Sequence, residues 1–551
     1  MSSVTDKAIA KVEVEHLEES DSRSKLSHNS LDGSSDPELP PLLSRKMIPL
    51  LLVCGLIYFN STNCGFDGSL MSSIYTQEDF MHFFGTDPKS SSSTGLLFAI
   101  FNVGSIASSF FCPLSDIIGR KKVIIGGSFG VIVGAIITTV AQNKSTLIAG
   151  RFILSFFTTQ TNTAASIYCV EIAISSHRSR VAGCYNTLWY LGSILAAFTA
   201  YGANIHHAGT ETAFRLPLGM QALCPGIVFI GAWFVPESPR WLVGMGKVEQ
   251  AKKIIAKYHC GNDLNDPLID YEIAEMIDSF SQVGLTKGFE AIDPRPMFKN
   301  NNTYRSLLVI CMAWMGQFSG NNVCSYYLPT MMEAVGMTSV SVNILLNAMY
   351  SLVSWFASIC GAFAHEGAGR RKVLMGSMLA ASLCLSALAI STARFQATGN
   401  DNASRSSIAM VFLFGVSFSF GFTPMQPIYP AEVTSNSLRS RSMVFLNLTA
   451  GVASFVNQYA SPEAMANIGY WFYVFYSLWN IVQLAVIYFF FVETRGYSLE
   501  EMDLIFAAKR PVKASIGDYS HESPEWIELN QQRKKEINEI EQNVHAIHIE
   551  T

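Results

Sequence analysis

The chain has 551 residues, of which 49% are hydrophobic and only 15% are charged. Soluble globular domains carry about 25% charged residues, so this composition excludes an ordinary soluble domain and predicts a membrane protein. The net charge of −5 is small and lies mostly in the two terminal tails. It therefore gives no reason to expect a nucleic-acid partner.

Twelve apolar runs follow one another along the chain. A helix needs about 20 apolar residues to cross a bilayer, and each run is close to that length. The sequence thus predicts an all-α membrane protein with twelve transmembrane helices in two six-helix halves. The runs lie near 47–75, 93–114, 122–140, 147–170, 180–203, 217–236, 304–330, 341–364, 372–392, 408–430, 440–460 and 470–492.

Lysine and arginine cluster in the short loops that follow the even-numbered runs, as in Arg120-Lys121-Lys122. Because positively charged loops stay in the cytosol, these loops and both termini are predicted to be cytosolic. The linker between the halves is predicted to contain short cytosolic helices, and a plain linker is the alternative. The predicted domains are a disordered cytosolic tail 1–44, an N-terminal half 45–240, a linker 241–303, a C-terminal half 304–504 and a cytosolic tail 505–551.

Three charged signatures occur once in each half, in the same order and about 250 to 260 residues apart. Such parallel repeats are typical of transporters that hold their substrate between the halves. The acids and arginines sit at predicted cytosolic helix ends, where ion pairs between the halves would close a gate; isolated surface charges are the alternative. The candidate gate residues are Asp116, Arg120, Glu171, Arg178, Glu237 and Arg240, and Glu366, Arg370, Glu432, Arg439 and Glu493.

Few ionisable residues lie inside the predicted spans, where a charge is expensive and usually functional. Asp67 in the first span and Arg151 in the fourth are predicted to lie at the same depth and to pair. A carboxylate whose pairing changes with conformation can take up and release a proton, which predicts a proton-coupling site. A static salt bridge, or a helix cap at Asp67 between Gly65 and Gly68, is the alternative.

The seventh span is rich in amides and aromatic residues, which suit the hydroxyl groups and apolar faces of a sugar. Gln317 and Asn322 would project roughly 140° apart on a continuous helix, so both can line one cavity only if the helix breaks near Gly320. Any single amide is equally explained as a hydrogen bond between helices. The candidate sugar-binding residues are Gln317, Asn321, Asn322, Tyr326, Asn186, Trp189 and Asn457, and Thr423, Gln426 and Gln458 are further candidates to complete the cavity.

At these residues, from about Arg45 to Asp503, the chain resembles the sugar porter family of the major facilitator superfamily. The family's motif Pro-Glu-Ser-Pro-Arg stands at 236–240 of this chain. The family's Gly-Tyr-Asp appears as Gly65-Phe66-Asp67, and its Gly-Arg appears at 150–151. The resemblance implies that Asp67 accepts the proton and that Arg151 is its partner. One seventh-span glutamine is missing, Asn186 replaces a fifth-span glutamine, and Pro427 stands where hexose porters carry tryptophan. These departures enlarge the expected cavity.

Whole stretches, including 65–71, 185–189, 316–327 and 455–458, look like the fungal lactose permease group. That resemblance implies a plasma-membrane symporter that imports lactose or a related β-linked disaccharide, sometimes galactose, with a proton, by alternating access. The alternatives are a hexose porter, an uncoupled sugar facilitator and a sugar sensor. No enzymatic activity, metal or cofactor other than the coupling proton is expected, and the chain is expected to act as a monomer in the lipid bilayer.

Overall fold

A computed structural model describes residues 47–75, 77–85, 91–174, 178–283, 293, 295–299, 302–337, 339–434, 439–495, 497, 502, 505–506, 508 and 510–516. These residues form helices and connecting turns, and no strand occurs among them. The predicted tail 1–44 lies outside the described residues, as does most of the tail 505–551. The side chains of Tyr326, Arg178 and Arg439 are also outside them.

The first half begins with a long helix and contains two helices that are interrupted near their middle. α7 and α8 meet at Leu188, and α9 and α10 meet at residues 221–222. The helices of this half are α1 (Ile48–Ile74), α2 (Glu78–Phe84), α3 (Ser91–Ser109), α4 (Leu114–Ile118), α5 (Arg120–Thr139), α6 (Lys144–Ile172), α7 (Arg178–Thr187), α8 (Trp189–His207), α9 (Thr212–Met220) and α10 (Leu223–Gly231).

Three α-helices and a short 3-10 helix (Arg295–Phe298) follow in the described part of the linker. His259 joins them to the first half, because its ring Nε2 lies 2.8 Å from the carbonyl oxygen of Ile172, while its Nδ1 lies 2.8 Å from Glu272. The linker helices also share an apolar cluster that includes Leu242 and Ile255. They are α11 (Pro239–Gly244), α12 (Val248–Tyr258) and α13 (Pro267–Val283).

The second half repeats the pattern of long helices, and its first helix is broken. Its helices are α14 (Asn302–Gln317), α15 (Asn321–Tyr326), α16 (Leu328–Glu333), α17 (Val340–Ala368), α18 (Arg370–Thr398), α19 (Asp401–Val433), α20 (Arg439–Ile468) and α21 (Trp471–Phe490), and a short α22 (Pro511–Ile516) follows.

All twelve predicted spans fall on these helices. Seven of the described helical segments are long and apolar enough to cross a membrane. The full count of twelve crossings and the cytosolic position of the termini stay predictions. We call the side of the molecule that carries Arg120 and Arg370 the basic side, which the sequence predicts to be cytosolic, and the opposite side the outer side.

The two halves pack face to face, α3 against α20 and α8 against α17. On the outer side the Asn347 amide donates to the hydroxyls of Ser72 and Ser73, at 3.1 and 3.2 Å. The rings of Phe98 and Tyr327 lie 5.0 Å apart, within an apolar cluster that contains residues of both halves. We call these contacts the outer seal. The space between the halves therefore lies on the basic side of the outer seal.

Candidate functional site

A cavity of about 340 Å³ lies between the two halves. Gln317, Asn321 and Asn322 line it from the second half, and Asn186 and Trp189 line it from the first. The structure therefore brings together five of the seven predicted sugar-binding residues. The remaining wall includes Phe101, Asn102, Ser105, Thr159, Asn162, Thr163, Tyr185, Tyr190, Phe418, Thr423, Gln426, Pro427, Asn447 and Ser454.

The break near Gly320 that lets both amides line one cavity is present. α14 ends at Gln317, and α15 begins at Asn321 after Gly320, whose φ of 95° favours glycine. Gln317 and Asn322 now share one wall of the cavity: the Asn322 Nδ2 lies 3.3 Å from the Gln317 Oε1. Ser454 donates to the same Oε1 at 2.8 Å, so α20 also holds this pair in place.

The break leaves the backbone carbonyls of residues 317–319 outside a regular helix, and amide side chains hydrogen-bond to all three. Asn457 donates to the carbonyl oxygen of Gln317 at 2.8 Å. Gln483 donates to that of Phe318 at 3.1 Å, and Asn480 to that of Ser319 at 3.0 Å. We call these three side chains the amide clamp.

Asn457 is absent from the described cavity wall. Its amide bonds instead to the backbone of the seventh span, and its contact with the sugar stays a prediction. Sequence reasoning missed Asn480 and Gln483 entirely. Their signal was visible as two amides three residues apart in an otherwise apolar twelfth span.

Asn186 and Trp189 lie on either side of the interruption between α7 and α8. The Asn186 amide donates to the carbonyl oxygen of Thr423 at 2.6 Å, which ties the first half to α19. The Trp189 ring stands edge-on to Tyr190 at 5.3 Å, and the Tyr190 hydroxyl lies 2.6 Å from that of Ser419. Both predicted residues are thus fixed by contacts and face the cavity.

Three further amides of the wall were not predicted as sugar contacts. Asn102 donates to Gln458 at 2.9 Å, and Asn447 donates to Thr163 at 3.1 Å, so each hydrogen bond joins the two halves. Asn162 accepts a hydrogen bond from Tyr185 at 2.5 Å. The available signal was a solitary amide in an apolar span, which is hard to distinguish from an ordinary bond between helices.

Asp67 is completely buried in α1. Its Oδ2 accepts hydrogen bonds from Thr158 at 2.9 Å and from Asn63 at 3.1 Å. Its Oδ1 has no hydrogen-bond partner among the described residues. Cys64 and Thr159, which follow Asn63 and Thr158 in sequence, both line the cavity. The carboxyl group therefore lies directly behind the cavity wall.

Arg151 lies in α6, but no ion pair joins it to Asp67 in the part of the chain that is described. Its Nε donates to the carbonyl oxygen of Leu97 at 3.2 Å, and its guanidinium lies 5.9 Å from the centre of the Phe101 ring. The described contacts of the guanidinium are thus to α3, and the functional pairing of Asp67 with Arg151 stays a prediction.

On the basic side, Arg120 pairs with Asp116 at 2.8 Å and with Glu171 at 2.9 Å. Ser238 also donates to Glu171, at 2.6 Å, and the backbone N–H of Lys121 donates to Glu237 at 3.1 Å. Burial raises the pKa of Asp116 above its ordinary value, which the neighbouring Arg120 opposes. Arg240 lies next to this network, at the start of α11.

The second half repeats the network. Arg370 pairs with Glu432 at 3.0 Å, and Thr494 donates to Glu432 at 2.5 Å. Glu493 accepts from the backbone N–H groups of Arg370 and Arg371, at 2.8 and 3.1 Å. Glu366 is exposed and makes no ion pair with the described residues, unlike its counterpart in the first half.

Glycine is required at the same place in both networks. Gly119 and Gly369 have φ values of 101° and 100°, and a Cβ there would lie 2.5 Å from the Glu237 carboxylate and 2.7 Å from that of Glu493. Every ion pair described in these networks joins helices of one half. The prediction that they interlock the two halves is therefore corrected for these pairs: each braces its own half.

A family model described as "Sugar (and other) transporter" matches residues 53–506. The chain is 28% identical to High-affinity glucose transporter 1 of Candida albicans, over 81% of this chain and 84% of that protein. It is 25% identical to Sugar transporter STL1 of Saccharomyces cerevisiae, covering 88% and 84% of the two chains. It is 26% identical to a quinate permease of Neurospora terricola, covering 75% and 79%.

The fold resembles that of the proton:xylose symporter XylE bound to 6-bromo-6-deoxy-D-glucose. The TM-score is 0.70 at 17% identity, over 83% of this chain and 99% of the other. For the inward open conformation of XylE from E. coli the TM-score is 0.67 at 15% identity, over 82% of this chain and 99% of the other. These similarities show that the chain shares its fold with XylE.

The relatives named above do not include a lactose permease, so the resemblance to that group does not fix the substrate. The match to the family model nevertheless covers both repeated halves and the broken seventh span between them. The chain belongs to the sugar (and other) transporter family.

Proposed function

We propose that this protein is a proton-coupled porter for a neutral, hexose-sized sugar. The observation that carries the proposal is the cavity wall, where amides and hydroxyls surround aromatic side chains and no described lining residue is charged. Amides donate to and accept from sugar hydroxyls, and aromatic rings cover the apolar faces of the ring. Alternating access of the two halves would carry the sugar across the bilayer.

The size of the cavity favours a monosaccharide over a disaccharide. Small-molecule sites occupy about 300–1,000 Å³, and the volume of about 340 Å³ is near the low end of that range. The proposal therefore replaces lactose by a hexose, in agreement with the glucose transporter among the relatives. The uncharged wall also disfavours quinate, because a carboxylate substrate calls for a cationic partner.

Proton coupling is supported by Asp67. It is buried behind the cavity wall, accepts hydrogen bonds from the neutral donors Thr158 and Asn63, and lies in a chain that folds like a proton:xylose symporter. An uncoupled facilitator has no need of an ionisable group at this depth, where a charge is expensive. We further propose that the protein works as a monomer in the plasma membrane.

The test is uptake of radiolabelled glucose by cells that lack other sugar porters, with galactose, xylose, lactose and quinate as competitors. Saturable uptake that glucose, but not lactose or quinate, competes away is the expected result. Uptake should be accompanied by alkalinisation of the medium as protons enter. Competition by lactose alone would show that the substrate is a disaccharide. Uptake without proton movement would show that the protein is an uncoupled facilitator. No uptake, combined with sugar-dependent signalling, would indicate a sensor.

A further inference from the structure

We infer that Asn480 and Gln483 of α21 are positioning residues that set the affinity for sugar by fixing the break in the seventh span. The inference rests on the proposed function, since it takes Gln317, Asn321 and Asn322 as the residues that face the sugar. Neither Asn480 nor Gln483 belongs to the cavity wall.

The break creates a need for hydrogen-bond donors. In a continuous helix the carbonyls of residues 317–319 would accept from the backbone N–H groups of residues 321–323. No such backbone bond occurs in the described structure. Water is scarce at this depth, so each carbonyl needs a partner from the protein. The amide clamp supplies one donor to each.

The two α21 amides serve this purpose alone. Asn480 is fully buried and Gln483 is 2% exposed. Their spacing of three residues places both on the same face of the helix. The Asn480 Oδ1 and the Gln483 Oε1 have no hydrogen-bond partner among the described residues, so both side chains are held only through their donor ends. A buried amide satisfied at one end is costly, and an apolar residue would pack better there unless the donor were needed.

The clamp acts at the point where a small shift matters most. Gln317 carries the first of the three carbonyls, and Asn321 and Asn322 follow the last of them after one residue. Loss of a donor would let this segment move, and the sugar-facing amides would move with it. Binding sites depend on such supporting contacts, because the groups that contact a ligand must be held within about 0.5 Å of their productive position.

The experiment compares Asn480→Leu and Gln483→Leu with Asn343→Leu in the full-length protein. Asn343 is a matched control: it is fully buried in the same half and donates to a backbone carbonyl, that of Met337, at 3.0 Å, but it does not touch the break. The amount of protein in the membrane, and the KM and maximal rate of glucose uptake, are measured for each variant.

We expect the two α21 variants to raise the KM at least about fivefold, which is the equivalent of one lost buried hydrogen bond. Asn343→Leu should lower the amount of protein but leave the KM unchanged. A KM equal to that of the unmodified protein in both α21 variants, or an equal rise in Asn343→Leu, would overturn the inference. If the leucine variants do not reach the membrane, Gln483→Met and glucose binding to detergent-purified protein provide the same comparison.

The two hypotheses fail in different ways. If the unmodified protein takes up no sugar, the proposed function is wrong. If it takes up glucose with a measurable KM that the α21 variants share, the function stands and only the positioning role is lost.

Discussion

At the scale of single residues, the buried carboxyl group of Asp67 differs from the acids of the duplicated networks. The paired acids of the basic side have cationic or backbone partners, whereas Asp67 is fully buried and, among the described residues, accepts hydrogen bonds from Thr158 and Asn63. Because an ion in this position is expensive, a proton that binds and leaves with the transport cycle is a natural use for it.

Asp67→Asn keeps the shape and the hydrogen-bonding capacity of the side chain but cannot exchange a proton. We expect the variant to lose accumulation of sugar against a gradient while it retains exchange of sugar across the membrane. The measurement is uptake into vesicles with and without an imposed pH gradient. Accumulation that still follows the pH gradient in the variant would contradict the coupling role.

Gln317→Ala and Asn322→Ala remove amides that line the cavity. A lost hydrogen bond to a sugar hydroxyl costs about 1–3 kcal/mol, so sugar affinity should fall roughly 5- to 150-fold. Inhibition of glucose uptake by unlabelled sugar measures this change. The control is Asn467→Ala, an exposed amide at the end of α20 that donates to Glu463. If the affinity for sugar is unchanged in both cavity variants, Gln317 and Asn322 do not bind the sugar.

At the scale of elements, the broken seventh span depends on one backbone position. Gly320 has a φ of 95°, and a Cβ there would lie 3.3 Å from the Leu385 side chain. A left-handed residue other than glycine costs about 1–2 kcal/mol. Gly320→Ala should therefore lower the melting temperature of the purified protein and weaken sugar binding.

Gly376→Ala is the control for that variant. Gly376 lies inside α18, where an added Cβ would meet no neighbouring element within 4 Å, and alanine favours a helix. This substitution should leave the melting temperature unchanged or raise it. If both substitutions behave alike, the conformation of Gly320 is not the cause.

The duplicated networks predict a difference between the halves. Glu432→Gln removes the described ion-pair partner of Arg370. After Glu171→Gln, by contrast, Arg120 still has its ion pair with Asp116, at 2.8 Å. Leaving a buried charge unpaired lowers the free energy of unfolding by about 3–5 kcal/mol. Because these groups are partly exposed, the loss of stability should be smaller here. We expect Glu432→Gln to lower the melting temperature more than Glu171→Gln, with no change in sugar preference for either. A larger loss of melting temperature for Glu171→Gln would show that other contacts stabilise the second network.

Sequence patterns predicted the elements better than the partners of their side chains. The runs of apolar residues located the helices, and the separation of Gln317 and Asn322 around a helix indicated that a shared cavity needs a break near Gly320. The partners depend on how helices are rotated and staggered, which periodicity in one chain does not specify. For that reason the bond of Asn457 to the backbone of the seventh span was not predicted, and the clamp amides of α21 were overlooked.

At the scale of the whole molecule, the outer seal holds the two halves together on one side of the cavity. Asn347 is central to it, because its amide reaches two serines of the opposite half. Asn347→Leu should weaken the seal and increase the fraction of molecules that open outward. The native Cys64, which lines the cavity, should then react faster with a membrane-impermeant thiol reagent added outside the cell.

Mass spectrometry of Cys64 measures this rate. Asn343→Leu, one turn earlier on the same helix, is the control, because Asn343 bonds within its own half. A rate for Asn347→Leu that does not exceed the control would show that the serine contacts do not hold the outer side closed.

The contacts described for the outer seal are neutral hydrogen bonds and apolar side chains, while the duplicated charged networks lie on the basic side. Dissolved salt screens interactions between charges but has little effect on neutral contacts. If the basic side faces the cytosol, the ion pairs experience a nearly constant ionic strength. The outer seal, which faces the medium, would then keep its strength as the salinity outside the cell changes.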